Sequence, residues 1–198
     1  MTRYGVFGGT FNPVHNAHLI AAESVREQMH LDKVLFIPSG VPPLKASREI
    51  IDASHRLEMI KIAIEDNPFF EVCDIEITSA GKGKSFTADT LLALRERYNN
   101  EGATFYLIIG MDNLVELHTW KNPGKLFMLS EVVVINRPGY LISDVKNDFG
   151  RQVIYTPVPD MDISSSDIRF RIQEKKSVKY LVPAGVEKYI YENNLYTG

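Results

Sequence analysis

At 198 residues with 44% hydrophobic content, the chain has room for one domain with a sizeable core and would be cramped as two. Its formal net charge of −3 argues against a polybasic surface, so neither nucleic acid nor a membrane is an expected partner. A lone cysteine, Cys73, excludes an internal disulfide framework; with no charged leader ahead of an apolar stretch and no run of about eighteen apolar residues, the chain reads as cytoplasmic.

Tyr4 to Phe7 is a short apolar run that breaks at Gly8-Gly9, the pattern of a first β-strand running into a glycine turn. After Asn12-Pro13, apolar Ala17, Leu19, Ile20, Ala21, Ala22 and Val25 recur at helical spacing, so a largely buried helix follows. In a strand, turn and helix unit, the free N–H groups and the positive dipole end of the helix form an anion site at the carboxyl end of the strand. His15 and His18 stand three apart and can both project from the first helical turn toward that site. An imidazole there donates to a phosphate oxygen whether neutral or charged. Zinc protease chemistry would need glutamate directly after the first histidine of an H-E-x-x-H pair, and here Asn16 and Ala17 fill the interval. No metal site is expected, and phosphate is the ligand the pattern fits.

Lys33 to Ile37 is a continuous apolar run closed by Pro38, read as a buried parallel strand. Residues 38–47 make a Pro/Gly-rich loop at that strand's end, with Lys45 as its cation. Ser54 can cap a helix carrying Leu57, Ile60, Ile62, Ala63 and Ile64, with His55 and Arg56 in its first turn. Phe69 to Ile77 alternates charged and apolar residues as a strand with one wetter face does, its Cys73 reads as a buried thiol, and residues 81–84 make a flexible basic loop. Ser85 to Leu94 begins a helix with hydroxyls at its start.

Thr104 to Ile109 is another buried strand, followed by Gly110-Met111-Asp112 and a short helix leading to Trp120, the only tryptophan. An aspartate just past a strand can bond sugar hydroxyls, and an indole offers a flat face for a ring, although core filling is the commoner use of tryptophan. Glu131 to Asn136 is a fifth strand, and Arg137 at its end can pair with a carboxylate or phosphate, or with a surface acid. A loop or short helix over 141–150 precedes a final strand over 151–156. Ser164, Ser165 and Ser166 open a helix with Arg169 one turn further on the same face, a second constellation suited to pyrophosphate. The tail from Tyr180 to Tyr196 reads as a proline-started helix with Val186, Tyr189 and Ile190 turned inward. Together these elements predict a doubly wound, Rossmann-like, mostly parallel α/β domain over residues 1–198, with a short helical C-terminal portion from about residue 163.

GGTFNPVHNAHL resembles the G-x-F-x-P-x-H-x-x-H signature of the nucleotidyltransferase superfamily related to class I aminoacyl-tRNA synthetases. Its fuller pattern resembles the bacterial nicotinate-nucleotide adenylyltransferase family, usually G-G-T-F-D-P-x-H-x-G-H. The similarity runs along nearly the whole chain: Pro42-Pro43-Leu44-Lys45, Ser85-Phe86-Thr87 with Asp89-Thr90-Leu91, Gly110 and Asp112 with Trp120, and Ile163 to Arg169 each match a family element. The resemblance implies adenylyl transfer from ATP to nicotinate mononucleotide, with Mg²⁺ accompanying the ATP. It implies catalytic roles for His15, His18, Lys45 and Arg169. Gly8, Gly9, Thr10, Phe11, Ser164, Ser165 and Ser166 would join the histidines and Arg169 around ATP, and Thr87, Asp112, Trp120, Lys121 and Arg137 would surround the mononucleotide. Arg56 is expected near the site. Asn12, Ala17, Phe86, Lys121 and Ser166 depart from the family pattern, Lys121 standing where many relatives have an aromatic residue. Nicotinamide mononucleotide or phosphopantetheine as acceptor, or a nucleotide-binding regulator without turnover, are the alternatives. Assembly into a homo-oligomer is left open.

Overall fold

Six strands pair side by side in the order β3-β2-β1-β4-β5-β6, every neighbouring pair parallel. They are β1 (Arg3–Gly9), β2 (Lys33–Pro38), β3 (Phe70–Val72), β4 (Thr104–Gly110), β5 (Glu131–Ile135) and β6 (Ile154–Thr156). The computed structural model describes residues 1–40, 50–79, 86–98, 102–146 and 148–197. The helices are α1 (Asn16–Gln28), α2 (Ala53–Ile64), α3 (Ile75–Thr78), α4 (Thr87–Arg97), α5 (Met111–Glu116), α6 (Pro123–Leu129), α7 (Ser165–Gln173) and α8 (Ala184–Glu192). None of those described is long and apolar enough to cross a membrane.

The central strands are continuous apolar runs because helices cover both faces of the sheet, and successive residues enter different cores. Phe7, Val34, Phe36, Ile108 and Val133 face Ala22, Val25, Met59, Ile60, Ile168, Val186 and Ile190 of α1, α2, α7 and α8. Val6, Leu35, Ile37, Leu107, Val132 and Val134 face Leu91, Leu94, Leu114 and Leu126 of α4, α5 and α6, and Cys73 is buried on this side. The C-terminal helices thus belong to the first core, with Val186 and Ile190 fully buried and Tyr189 packed at its margin.

Several local features differ from what the sequence suggests. The strand expected over 69–77 pairs only at Phe70–Val72, and the chain then turns at Asp74 into α3. β3 is an edge strand whose one neighbour, β2, ends in Pro38, which has no N–H to extend the ladder. The final strand shrinks to Ile154–Thr156 behind a 3₁₀ turn over Asp148–Arg151. Asp52, not Ser54, caps α2: its Oδ1 accepts from the Ser54 N–H at 2.8 Å and from the Ser54 hydroxyl at 2.7 Å. The tail helix occupies only Ala184–Glu192 of the stretch from 180 to 196.

Arg56 has the least expected environment. It lies 1% exposed in the first turns of α2, and among the described residues its guanidinium bonds only to backbone. Nη1 donates to the Thr10 carbonyl at 2.8 Å, Nη2 to those of Ser39 at 2.7 Å and Gly40 at 3.4 Å, and Nε to that of Ile51 at 3.3 Å. One buried cation therefore ties the loop after β1 to the end of β2 and to the entry of α2. Its position is near the expected site, but its described bonds hold the floor of that site. Arg56→Met keeps the length of the side chain and removes every donor, leaving these part-buried carbonyls without it. The unfolding free energy in urea should fall by about 3 kcal/mol; a fall below about 1 kcal/mol would show that the carbonyls do not depend on Arg56.

Candidate active site

β1 and β4 lie side by side although they are not consecutive, so the strand order reverses between them. In an open parallel sheet the crevice outside the carboxyl ends of such strands is where a ligand fits. Phe7 is in register with Ile108, which brings Gly8-Gly9 and Gly110 to the same end. A Cβ at Gly8 would meet no atom of the described residues, whereas one at Gly110 would collide with the Asp112 carboxylate.

The loop after β1 is bound from several directions. The Thr10 carbonyl takes Arg56, the Asn12 carbonyl takes Arg169 Nη1 at 3.0 Å, and the Pro13 carbonyl takes the Ser165 hydroxyl at 2.8 Å. The Asn12 side chain, 3% exposed, accepts the Tyr196 hydroxyl on Oδ1 at 3.0 Å. Phe11 adopts a left-handed backbone with φ of 49°, and its ring is buried beneath the loop, 5.0 Å from the His18 ring and edge-on to it. Only the backbone of Phe11 is left to face a ligand. Ala17 sits in the regular first turn of α1, where a side chain needs no special conformation.

His15 is the N-cap residue of α1, and its backbone N–H donates to His18 Nδ1 at 3.2 Å. A ring nitrogen that accepts carries no proton, so the His18 proton lies on Nε2. The two imidazoles stack with centroids 3.6 Å apart and planes 22° from parallel. His15 is 5% exposed, with Nδ1 buried and without a hydrogen-bond partner among the described residues. Burial first, and then the positive charge of Arg137, lower its pKa from 6.5 to about 4, so the ring is neutral at neutral pH. The start of α1 is also fastened to the tail: Asn16 donates its backbone N–H to Leu181 and its side chain to the Tyr180 carbonyl.

Opposite this turn stands the start of α7. Ser164 caps it by accepting from the Asp167 N–H, Ser165 is engaged with Pro13, and Ser166 receives Arg169 Nη2 at 3.4 Å. The helix start and its arginine thus sit against the same loop as the histidine pair. On the β4 side, Asp112 lies 3.5 Å from Arg137 Nε, with its other oxygen buried and unbonded among the described residues. Lys121 holds Asp89 of α4 at 3.0 Å and lies over the Phe86 ring at 4.3 Å. This joins Trp120-Lys121 to the first turn of α4, which opens at Thr87 with no side-chain cap. Trp120 is half-buried against the second core. Lys45 and Ser85 lie outside the described residues.

Sequence reasoning overlooked Tyr196 and Asn136. Asn136 donates to the Val158 carbonyl and Asp160 and accepts from Val158 N–H, holding the segment that leads to α7. Neither residue has a local signature, since their partners are remote or on the backbone. The asparagine at position 12 was visible as a departure, but its partner, 184 residues away, was not.

The cytidylyltransferase-like family profile matches residues 6–171. A curated relative from Thermomicrobium roseum named as a probable nicotinate-nucleotide adenylyltransferase is 39% identical, covering 99% of this chain and 92% of its own. One from Desulfitobacterium hafniense with the same name is 40% identical over 98% of this chain and 95% of its own. Among solved structures, the Plasmodium falciparum nicotinic acid mononucleotide adenylyltransferase complexed with NaAD aligns with a TM-score of 0.78 at 20% identity, covering 99% of this chain and 98% of that one. That last likeness is one of fold.

The neutral, buried His15 carries a pH signature. Between pH 6.5 and 4 the unfolded chain binds a proton at this position that the folded chain refuses, so its contribution to stability is full above 6.5 and is lost as pH falls toward 4. The loss amounts to up to about 3 kcal/mol. The difference between urea unfolding free energies at pH 7 and pH 4.5 should be smaller in His15→Gln than in the parent. An equal difference in both would contradict the burial of a neutral imidazole.

Proposed function

The chain belongs to the cytidylyltransferase-like family, among its nicotinate-nucleotide adenylyltransferases, and from that premise we infer that it transfers the adenylyl group of ATP to nicotinate mononucleotide. The products are nicotinate adenine dinucleotide and pyrophosphate, a step of NAD biosynthesis that we place in the cytoplasm. The observation that carries this reading for the site is the docking of α7 beside the histidine stack through Ser165–Pro13 and Arg169–Asn12. Two helix starts then face one loop, and a chain of phosphates is the ligand that both can hold.

A phosphate oxygen of the mononucleotide attacks the α-phosphorus of ATP, and the bond from that phosphorus to the β-phosphate bridging oxygen breaks as pyrophosphate departs. No protein nucleophile is needed, so the residues serve to align two anions and stabilise charge on the leaving group. In this reading His18 donates from Nε2 and neutral His15 from the same turn, placing donors at the reacting phosphate without adding a full charge. Arg169 and the start of α7 take the leaving phosphates, with the backbone of Gly8, Gly9, Thr10 and Phe11 and the residues Ser164, Ser165 and Ser166 lining that end; Lys45 joins them on the strength of the family motif. On the acceptor side, the unbonded Asp112 oxygen suits a ribose hydroxyl and Arg137 the mononucleotide phosphate. Trp120 offers its ring face to the pyridine, and Thr87 with Lys121 meets the nicotinate carboxylate.

We assign Mg²⁺ to the ATP. The triphosphate oxygens are the hard donors that such a cation takes. When bound it neutralises phosphate charge.

Pyrophosphate release with ATP and, in turn, nicotinate mononucleotide, nicotinamide mononucleotide and phosphopantetheine tests the reading. Nicotinate mononucleotide should give the highest kcat/KM; silence with all three acceptors would favour a non-catalytic nucleotide binder. His18→Ala should lower kcat by about a hundredfold or more while mononucleotide binding changes little. Near-parental kcat in that variant would remove His18 from the chemistry.

A further inference from the structure

The loop carrying the paired histidines is held by a residue from the far end of the chain. Tyr196 donates its hydroxyl to Asn12 Oδ1 at 3.0 Å across 184 positions of sequence. The same oxygen takes a longer bond, 3.4 Å, from the Ile51 N–H, while the Asn12 carbonyl accepts from Arg169. At 3% exposure Asn12 is oriented by these protein groups rather than by water. The Tyr196 ring packs at the margin of the first core, and burial pushes its phenol up, so the hydroxyl stays protonated as a donor. Two left-handed residues, Asn194 at φ 50° and Tyr196 itself at φ 64°, turn the chain after α8 toward Asn12. That conformation is disfavoured for a tyrosine and persists only where surrounding contacts hold it.

We propose that Tyr196 and Asn12 form a positioning pair for the phosphate end of the site: the Tyr196 hydroxyl orients Asn12, and the Asn12 carbonyl orients Arg169 for the triphosphate of ATP. This rests on the functional reading above. Position 12 then requires an acceptor oxygen facing Tyr196, which asparagine supplies here and which the aspartate of the family pattern would supply as well. Both residues act through Arg169.

Calorimetric titration of MgATP and, separately, of nicotinate mononucleotide reads the pair without relying on turnover. Tyr196→Phe keeps the ring and removes the hydroxyl; it should weaken ATP binding about fivefold to tenfold, while mononucleotide binding stays within about twofold of the parent. Asn12→Leu should match it, and Asn12→Asp, which keeps the acceptor, should bind ATP within about twofold of the parent. In an Arg169→Gln background Tyr196→Phe should add nothing, because the residue it acts through is gone. Unchanged ATP binding in Tyr196→Phe, equal weakening of both ligands, or full additivity with Arg169→Gln each overturns the proposal. Should Tyr196→Phe fail to fold, the contrast between Asn12→Leu and Asn12→Asp decides the same question, and equal ATP affinity in those two overturns it. A parent that binds ATP yet releases no pyrophosphate with any acceptor overturns the functional reading alone, and one that binds no ATP overturns both.

Discussion

Three carbonyls of one short loop, those of Thr10, Asn12 and Pro13, are each held by a side chain from another part of the chain: Arg56, Arg169 and Ser165. The arrangement of the site depends on that constraint. The loop leaves β1 at the point where the sheet reverses its strand order, and it delivers the chain into α1 with His15 at the cap. Holding its carbonyls fixes where the histidines stand and, reciprocally, where α7 begins. Beside it, a Cβ at Gly8 would meet no atom of the described residues.

The cations in this region divide their work by burial. Arg56, fully enclosed, meets carbonyl dipoles and serves architecture. Arg169 binds the loop with one nitrogen and Ser166 with another, at the edge of the crevice. Arg137 is more exposed, lies against Asp112, and through its charge helps keep His15 neutral. On the proposed reading, full charges stand at the margins of the site and neutral donors at its centre. Placing only cations there would favour tight binding of substrates and transition state alike, which does not raise turnover.

The parts legible in the sequence are those with a local pattern. β2, β4 and β5 are continuous apolar runs because both their faces are covered, and each run reads directly as a strand. The spacing of His15 and His18 brings them onto one turn, though the stacking of their rings and the tautomer of His18 come only from the cap geometry. The edge strand β3 was overread because alternation says which face is wet and not where a neighbour stops offering partners. The bonds of Arg56 and Tyr196 were opaque for a shared reason: their partners are backbone carbonyls or a remote amide, which no spacing encodes. For Lys45 and Thr87 it is the family pattern, more than the local sequence, that points to a ligand.

In the proposed mechanism the chain aligns two phosphates and forms no covalent bond to either. Its cysteine is buried in the core on the other face of the sheet, the Ser165 hydroxyl is donated to Pro13, and His18 presents a protonated Nε2 while its Nδ1 is occupied. The stereochemical course at the α-phosphorus tests this most directly, using ATP with a chiral α-phosphorothioate and nicotinate mononucleotide as acceptor. A single displacement predicts inversion of configuration in the dinucleotide product. Retention would reveal two successive displacements through an adenylylated residue and would contradict the account.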